Sequence, residues 1–372
     1  MRPMVRAAVM SGVGRPLEIC ELDLEPPRAH EVMVRLVASG VCHSDLSMQD
    51  GTTLVPTPVV LGHEGAGVVE QVGEGVTAVE PGDHVVISWV PQCRSCFFCA
   101  KAQPHLCETS NVVLASGGLL DGTPRFSSGG KPVHQMVAAG TFAEHTVVPE
   151  SSVVAVDDEL ELGVAALIGC AVLTGVGAAV NTSSIGQGDS VAVVGCGGVG
   201  LNVVQGARLA GADRVIAVDV NPAKLDLARE FGATDTVYAG QGNPVSKVMA
   251  LTGQRGADVS FEVVGLEASI DQAIAMTRRG GQAVLVGLPR MDAVITVPAF
   301  LGAVMAAKTI TGCWYGSADV RRDVPRLVEH YRNGALKLDE LNSATITLDE
   351  VNDAFEAMKN GDVARSVIRY AD

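Results

Sequence analysis

Between Arg6 and about Glu150, apolar residues come in short runs rich in β-branched side chains. EVMVRLVASG, GAGVVEQVGEGV, GDHVVISWV and FAEHTVVP are each bounded by Gly, Pro or Asp. Short strands separated by turn formers predict an antiparallel, barrel-like domain. From about Ser190 the pattern changes. DSVAVVGCGG is a buried strand running into glycines, VGLNVVQGARLAG is spaced as a helix, and DRVIAVDVN is a second strand. NPAKLDLAREFGA then reads as a helix opened by Asn and closed by Gly. ADVSFEVVG, GQAVLVGL and AKTITGCWYG add strands, separated by helical segments such as EASIDQAIAMTRRG. This alternation predicts an α/β, doubly wound parallel sheet. The end of the chain returns to helices, DVPRLVEHYRNG and LDEVNDAFEAMKNG, and a closing strand, ARSVIRY. Residues 115–132, ASGGLLDGTPRFSSGGKP, read as a long surface loop.

Leu162 to Gly188 holds no charged residue, and its length alone would let it cross a bilayer. Gly163, Gly169, Gly175 and Gly177 dilute it, and no aromatic or basic anchors flank it. It reads as a helix buried between two domains. The N-terminal segment carries Arg2, Arg6 and Arg15 without an uninterrupted apolar core or cleavage site, and reads as a mature start.

A length of 372 residues suggests two or three domains. Lys plus Arg number 27 against 42 Asp plus Glu, a net charge of −15, which argues against a surface built for nucleic acid or anionic lipid. A hydrophobic fraction of 47% excludes general disorder. Nine cysteines, four of them crowded between Cys93 and Cys107, suit metal ligands in a reducing, cytoplasmic compartment better than dispersed disulfides.

Gly195-Cys-Gly197-Gly198-Val199-Gly200 is a GxGxxG that follows an apolar strand and opens a helix, with Asp219 ending the next strand 19 positions later. In that context it predicts a dinucleotide site rather than a structural glycine turn. The helix start offers amides to a pyrophosphate. Asp219 can accept from the ribose hydroxyls and would repel a 2′-phosphate, which favours NAD over NADP.

Cys93-x2-Cys96-x2-Cys99-x7-Cys107 can wrap one Zn²⁺ tetrahedrally and leave no open position, a structural site. An iron–sulfur cluster and reactive thiols are the alternatives, and the spacing lacks the trailing Cys-Pro of bacterial cluster runs. A second site needs residues far apart. Cys42, His63 and Cys170 together would form a Cys2His catalytic set, although each alone reads as a buried cysteine or a core histidine.

GVCHSDL, PVVLGHEGAGVVEQVGEGV, the four-cysteine spacing, ALIGCAVLTG and VVGCGGVGLNVVQGA resemble the zinc-containing medium-chain alcohol dehydrogenases, in order from about Arg6 to Tyr370. The resemblance implies a GroES-like β-rich catalytic domain over 1–172, with a return over 316–372, and a Rossmann domain over 173–315. The long segment from Cys107 to about Gly140 resembles the dimeric branch. The resemblance also implies two zinc ions per chain and NAD, with Cys42, His63 and Cys170 holding the catalytic ion. Asp45 matches the carboxylate that orients the histidine, Glu64 the acidic neighbour of the metal, and Ser44 the hydroxyl that takes the alcohol proton. His43 and Arg365 match basic groups near the pyrophosphate, Thr174 a hydroxyl near the nicotinamide, and Asp219 and Lys224 the ribose contacts.

Two departures stand out. Ser47 occupies the position where many relatives end the proton relay at a histidine. Thr53 and Asn111 stand where the glutathione-dependent formaldehyde branch places an acidic residue and an arginine. Trp89 falls where an aromatic lines the substrate tunnel, and it reads equally as a core residue. The expected activity is hydride transfer between a primary alcohol, hydrophobic or aromatic, and NAD. The alternatives are the thiol-dependent formaldehyde branch and a catalytically silent dinucleotide-binding or redox-sensing protein. The expected partners are a small alcohol or aldehyde and a second copy of the chain, without nucleic acid or membrane. Cys20, Cys196 and Cys313 read as small buried side chains.

Overall fold

The structure, a computed structural model, describes residues 4–361 and 363–371; Arg2 lies outside them. The chain divides into two compact units. One runs to Ala171 and resumes over Asp319–Arg332 and from Leu338; the other comprises Val172–Ala318 and Asn333–Lys337.

The first unit opens with strands β1 (Met4–Met10), β2 (Glu18–Leu24), β3 (Glu31–Val41), β4 (Val59–Val60) and β5 (Glu64–Val72). β6 (His84–Ile87), β7 (Phe126–Ser128), β8 (Lys131–Gln135), β9 (His145–Pro149) and β10 (Val153–Val156) follow. β1, β2, β7, β8 and β4 close into a barrel. Alternate residues point inward along each strand, so Val5, Ala7, Val9, Leu22, Leu24 and Phe126 fill it.

Residues 115–132 are not the surface loop that their composition predicts. The helix Glu108–Ser116 enters the segment, and the β7–β8 hairpin begins within it. Leu119, Phe126 and Arg125 are fully buried there. Arg125 is held by the Glu31 carboxylate, by Asp121 Oδ2 at 2.8 Å and by Thr123 Oγ1 at 2.7 Å. A buried guanidinium needs such neutralisation, and a turn-rich, polar sequence conceals it.

The second unit carries β11 (Ser190–Val194), β12 (Arg214–Asp219), β13 (Asp235–Tyr238), β14 (Ala257–Glu262), β15 (Thr277–Leu285) and β16 (Thr309–Gly312). They form a parallel sheet ordered β13-β12-β11-β14-β15-β16. Val194, Ile216, Val218, Ala273 and Met276 lie in its core. The order reverses between β11 and β14, the place where such sheets bind ligands beyond the carboxyl ends of their strands.

The chain then returns to the first unit with β17 (Asn342–Ile346) and β18 (Arg365–Arg369). β18 runs antiparallel to β3 with Ser366 opposite Val41, and extends a sheet ordered β10-β6-β5-β3-β18-β17. That register brings Arg365 beside the residue that follows β3.

Leu162–Thr182 is one helix, long and apolar enough to cross a membrane, and 94% of its most apolar window is buried. It alternates α-helical and π-helical turns, with Ile168–Val172 one of the π turns. Single π turns inside helices commonly mark functional positions. Here the turn carries Cys170.

Candidate active site and metal centre

Cys42 follows β3 and caps the short helix His43–Gln49. Its N–H donates to Asp45 Oδ2 at 2.8 Å. Asp45 Oδ1 accepts from Gly62 N–H at 3.1 Å and pairs with His63 Nδ1 at 3.0 Å. Asp45 thereby ties two distant loops together and sets the ring of His63. Glu64 opens β5 directly after that histidine. The ligand atoms of Cys42, His63, Glu64 and Cys170 all lie within 4.8 Å of one another, and all four residues are buried.

The electrostatics of this cluster are unusual for an interior. The Cys42 thiol is held well below its ordinary range by the hydrogen bond from Cys170, against burial and with help from the Arg365 charge. Cys170, the donor in that bond, is pushed up correspondingly. Burial pushes the Glu64 carboxyl up to about 8, even though the Arg365 charge opposes it. The Arg365 guanidinium, itself buried, lies 3.5 Å from Cys42 Sγ and 3.4 Å from Glu64 Oε1.

Around the cluster, Ser44 Oγ is 3.8 Å from Cys42 Sγ and half-buried, His43 is exposed, and Ser47 is buried. Trp89 packs on the hydrophobic core and meets the His63 ring edge-on, at 6.5 Å between centroids and 89° between planes. That packing fits the core reading of this residue. Thr53 is half-buried and Asn111 exposed.

The ligand atoms of Cys93, Cys96, Cys99 and Cys107 form a second cluster, also within 4.8 Å, and all are free thiols. Cys93 N–H points at Cys107 Sγ at 3.3 Å, and Cys96 N–H at Cys93 Sγ at 3.4 Å. Burial would raise the Cys93 thiol, but the amides of Ser95 and Cys96 outweigh it and hold it at about 6. Arg94 clamps the lobe to Asp319 through contacts of 2.7 and 2.8 Å.

In the second unit, Gly195 adopts φ +96° at the end of β11, where its N–H donates to Val218 O at 2.9 Å. A Cβ on Gly200 would stand 1.9 Å from Gly195 O, so only glycine permits this helix-to-strand contact. Gly197 caps the helix Gly198–Leu209, which includes Val199. Asp219 Oδ2 accepts from Cys196 N–H at 2.7 Å, and Oδ1 from Asn221 N–H at 2.8 Å. Lys224 lies half-buried on the helix Pro222–Glu230, and Thr174 half-buried on Leu173–Gly177.

Comparison with known proteins decides the family. Residues 28–158 match the alcohol dehydrogenase GroES-like domain, and residues 198–332 the zinc-binding dehydrogenase family. The chain is 42% identical over 370 residues to S-(hydroxymethyl)glutathione dehydrogenase of Escherichia coli, covering 98% of this chain and 99% of that protein. The chain belongs to the zinc-containing medium-chain alcohol dehydrogenases. Among solved members, an alcohol dehydrogenase zinc-binding domain protein from Burkholderia ambifaria superposes with TM-score 0.95 at 33% identity, covering 100% of both chains. Benzyl alcohol dehydrogenase of Acinetobacter calcoaceticus superposes with TM-score 0.93 at 29% identity, covering 99% of this chain and 100% of that one.

Both zinc sites of this family of alcohol dehydrogenases fit the residues present. His63 Nε2 is buried and, among the described residues, has no hydrogen-bond partner. A nitrogen fixed through its other ring atom and left bare among two thiols is a metal donor in waiting. The four-cysteine cluster, all sulfur and wrapped by amides, suits a closed tetrahedral ion. NAD is the cofactor expected of an alcohol dehydrogenase with this Rossmann unit.

Sequence reasoning named Arg365 but did not place it beside the metal donors. Arg365 is matched by resemblance to a phosphate contact, yet its guanidinium lies against Glu64 and Cys42. The signal was the pairing of the closing strand with β3, which no local pattern encodes.

Proposed function

We propose that this chain oxidises primary alcohols, and reduces the matching aldehydes, with NAD as the hydride carrier. The observation that carries the reading is the buried Cys42–His63–Cys170 set, with His63 oriented by Asp45 and its Nε2 bare. Zn²⁺ held there supplies the Lewis acidity that brings alcohol deprotonation near neutral pH. Ser44 is placed beside Cys42 to accept the hydroxyl proton at Oγ. Ser47 in place of a histidine leaves the onward path to Ser47, to exposed His43 or to solvent directly. Arg365 opposes the burial that pushes the Glu64 carboxyl up, and keeps that group close enough to exchange with the other metal donors. Trp89 supplies an apolar wall beside His63 and excludes water there.

On the cofactor side, the amides of Gly197, Gly198, Val199 and Gly200, at a helix start, would hold a pyrophosphate. Within the second unit, Asp219 and Lys224 would take the adenosine ribose and Thr174 the nicotinamide end. Asp219, already fixed by two amides, selects NAD over NADP.

A hydrophobic or aromatic alcohol is the favoured substrate, in keeping with Trp89 and with the benzyl alcohol dehydrogenase among the similar structures. A second reading, S-(hydroxymethyl)glutathione, is favoured by the 42% identity to the Escherichia coli enzyme of that name. Thr53 and Asn111 offer no charge to a glutathione conjugate. The test is NADH formation at 340 nm with benzyl and aliphatic alcohols, and with formaldehyde plus glutathione, each with NAD and NADP. Turnover confined to the glutathione adduct would overturn the favoured substrate. Full activity in Cys170→Ala would overturn the mechanism.

The chain is proposed to act as a homodimer. β16 is an edge strand, and Val294, Phe300, Leu301, Val304 and Ile310 are exposed on and just before it. Apolar clusters beside an open sheet edge mark association surfaces. Sedimentation should give a dimer mass, and Phe300→Asp should shift it toward monomer; a monomeric native protein would refute the assignment.

A further inference from the structure

Glu262 ends β14 next to the GxGxxG strand, and the chemistry above makes no use of it. Its side chain is fully buried. Oε1 accepts from Val264 N–H at 2.8 Å, Gly265 N–H at 2.7 Å and Ser269 Oγ at 2.7 Å. Its backbone carbonyl accepts from Val286 N–H at 2.8 Å and Gly287 N–H at 3.0 Å. One residue thus holds four backbone amides, drawn from the turns that leave two neighbouring strands, β14 and β15.

Both turns lie beside the reversal point of the sheet. Val263 N–H donates to Val194 O at 2.9 Å, and a Cβ on Gly195 would stand 2.6 Å from Val264 Cγ2. The turn that Glu262 holds is therefore packed on the turn that opens the phosphate-binding loop. A leucine of similar volume would fill the space at lower desolvation cost, but it would leave two amides unpaired. What the carboxylate adds is turn conformation. The turn it fixes presents Val264 and Leu266 to solvent, beside Leu288 on the turn that the Glu262 backbone carbonyl holds. Large apolar side chains held outward on rigid turns, at the carboxyl edge of a parallel sheet, form a surface that a planar ring can cover.

We propose that Glu262 is a positioning residue for the dinucleotide, its carboxylate presetting the turn after β14 so that the apolar side chains there meet the cofactor's rings. The proposal rests on the NAD reading. Its test is NADH affinity by fluorescence titration for the native protein, Glu262→Ala, Glu262→Gln and Ser269→Ala, with melting curves and zinc content alongside. Glu262→Ala should weaken NADH binding by roughly tenfold or more, since it strips hydrogen bonds to a charged acceptor. KM for NAD should rise in step while kcat at saturating cofactor stays close to native, because nothing beside the zinc donors moves. Glu262→Gln keeps an acceptor oxygen for the amides and should recover most of the affinity. Ser269→Ala, which removes one donor, should lose a few-fold, and it remains informative if Glu262→Ala does not fold. Folded variants that bind NADH like the native chain overturn this proposal alone. A native chain that binds no NADH overturns the NAD reading and this proposal with it.

Discussion

Asp45→Asn is a sharp test of the active site, because the exchange alters one charge and one donor in an unchanged volume. Asp45 is fully buried and receives three groups: Cys42 N–H at 2.8 Å, Gly62 N–H at 3.1 Å and His63 Nδ1 at 3.0 Å. A carboxylate can accept from all three. An asparagine whose oxygen serves Gly62 and His63 must turn its NH2 toward Cys42 N–H, donor against donor, and the flipped amide opposes two donors. A buried donor left unpaired costs about 1–3 kcal/mol, equivalent to roughly 5- to 150-fold in an equilibrium constant. Partners of metal-bound histidines cost about 10–100-fold in affinity or activity when lost, a range that overlaps the hydrogen-bond figure. Chelator titration with a colorimetric zinc reporter measures this directly. In the native protein two zinc equivalents should leave at distinct chelator concentrations. In Asp45→Asn one should leave about 10–100-fold earlier, while the four-cysteine equivalent serves as an internal control. Zinc release unchanged for both ions, or advanced equally for both, would refute the account.

Cys107→Ser should cost one zinc equivalent and sharply lower the melting temperature, since Cys107 is fully buried and closes the four-thiol cluster; metal analysis and calorimetry check this. Asp219→Asn should raise KM for NAD and lift activity with NADP, read as the ratio of the two kcat/KM values, because it removes the charge that opposes a 2′-phosphate. Arg125→Met should destabilise the first unit by about 3–5 kcal/mol, because it leaves Glu31 buried without its partner. The same variant has a pH signature. Burial alone would raise the Asp121 carboxyl, but Thr123 N–H and Arg125 outweigh it and hold it at about 2. A depressed folded value gives stability that is complete above the unfolded value of about 4 and lost as pH falls through the folded one. Acid unfolding between those limits should therefore be shallower in Arg125→Met than in the native chain.

Local chemistry was legible in the sequence. The four cysteines lie within fifteen residues, and GxGxxG sits between a strand and a helix with Asp219 ending the next strand. The strand–helix alternation likewise announced the parallel sheet. Cys42, His63 and Cys170 were legible only through resemblance, because residues so far apart meet through strand pairing that periodicity does not record. Arg365 and Glu262 act through register and loop geometry, and their immediate sequence carries no mark of either. The segment around Arg125 misled for a related reason. Its glycines and serines follow turn rules, while a buried ion pair with Glu31, 94 positions away, depends on the completed barrel.

The spacing of the two donor sets also fixes the order in which a nascent chain can acquire its metals. The cysteines from Cys93 to Cys107 leave the ribosome together and need only a short loop to close. Cys170 emerges 63 positions after Cys107, a delay of about 3–13 s at ordinary rates of synthesis. Through that interval the lobe can already hold its ion, while Cys42 and His63 wait for their third ligand. A cell short of zinc should consequently accumulate chains metallated in the lobe and empty at the centre that does the chemistry.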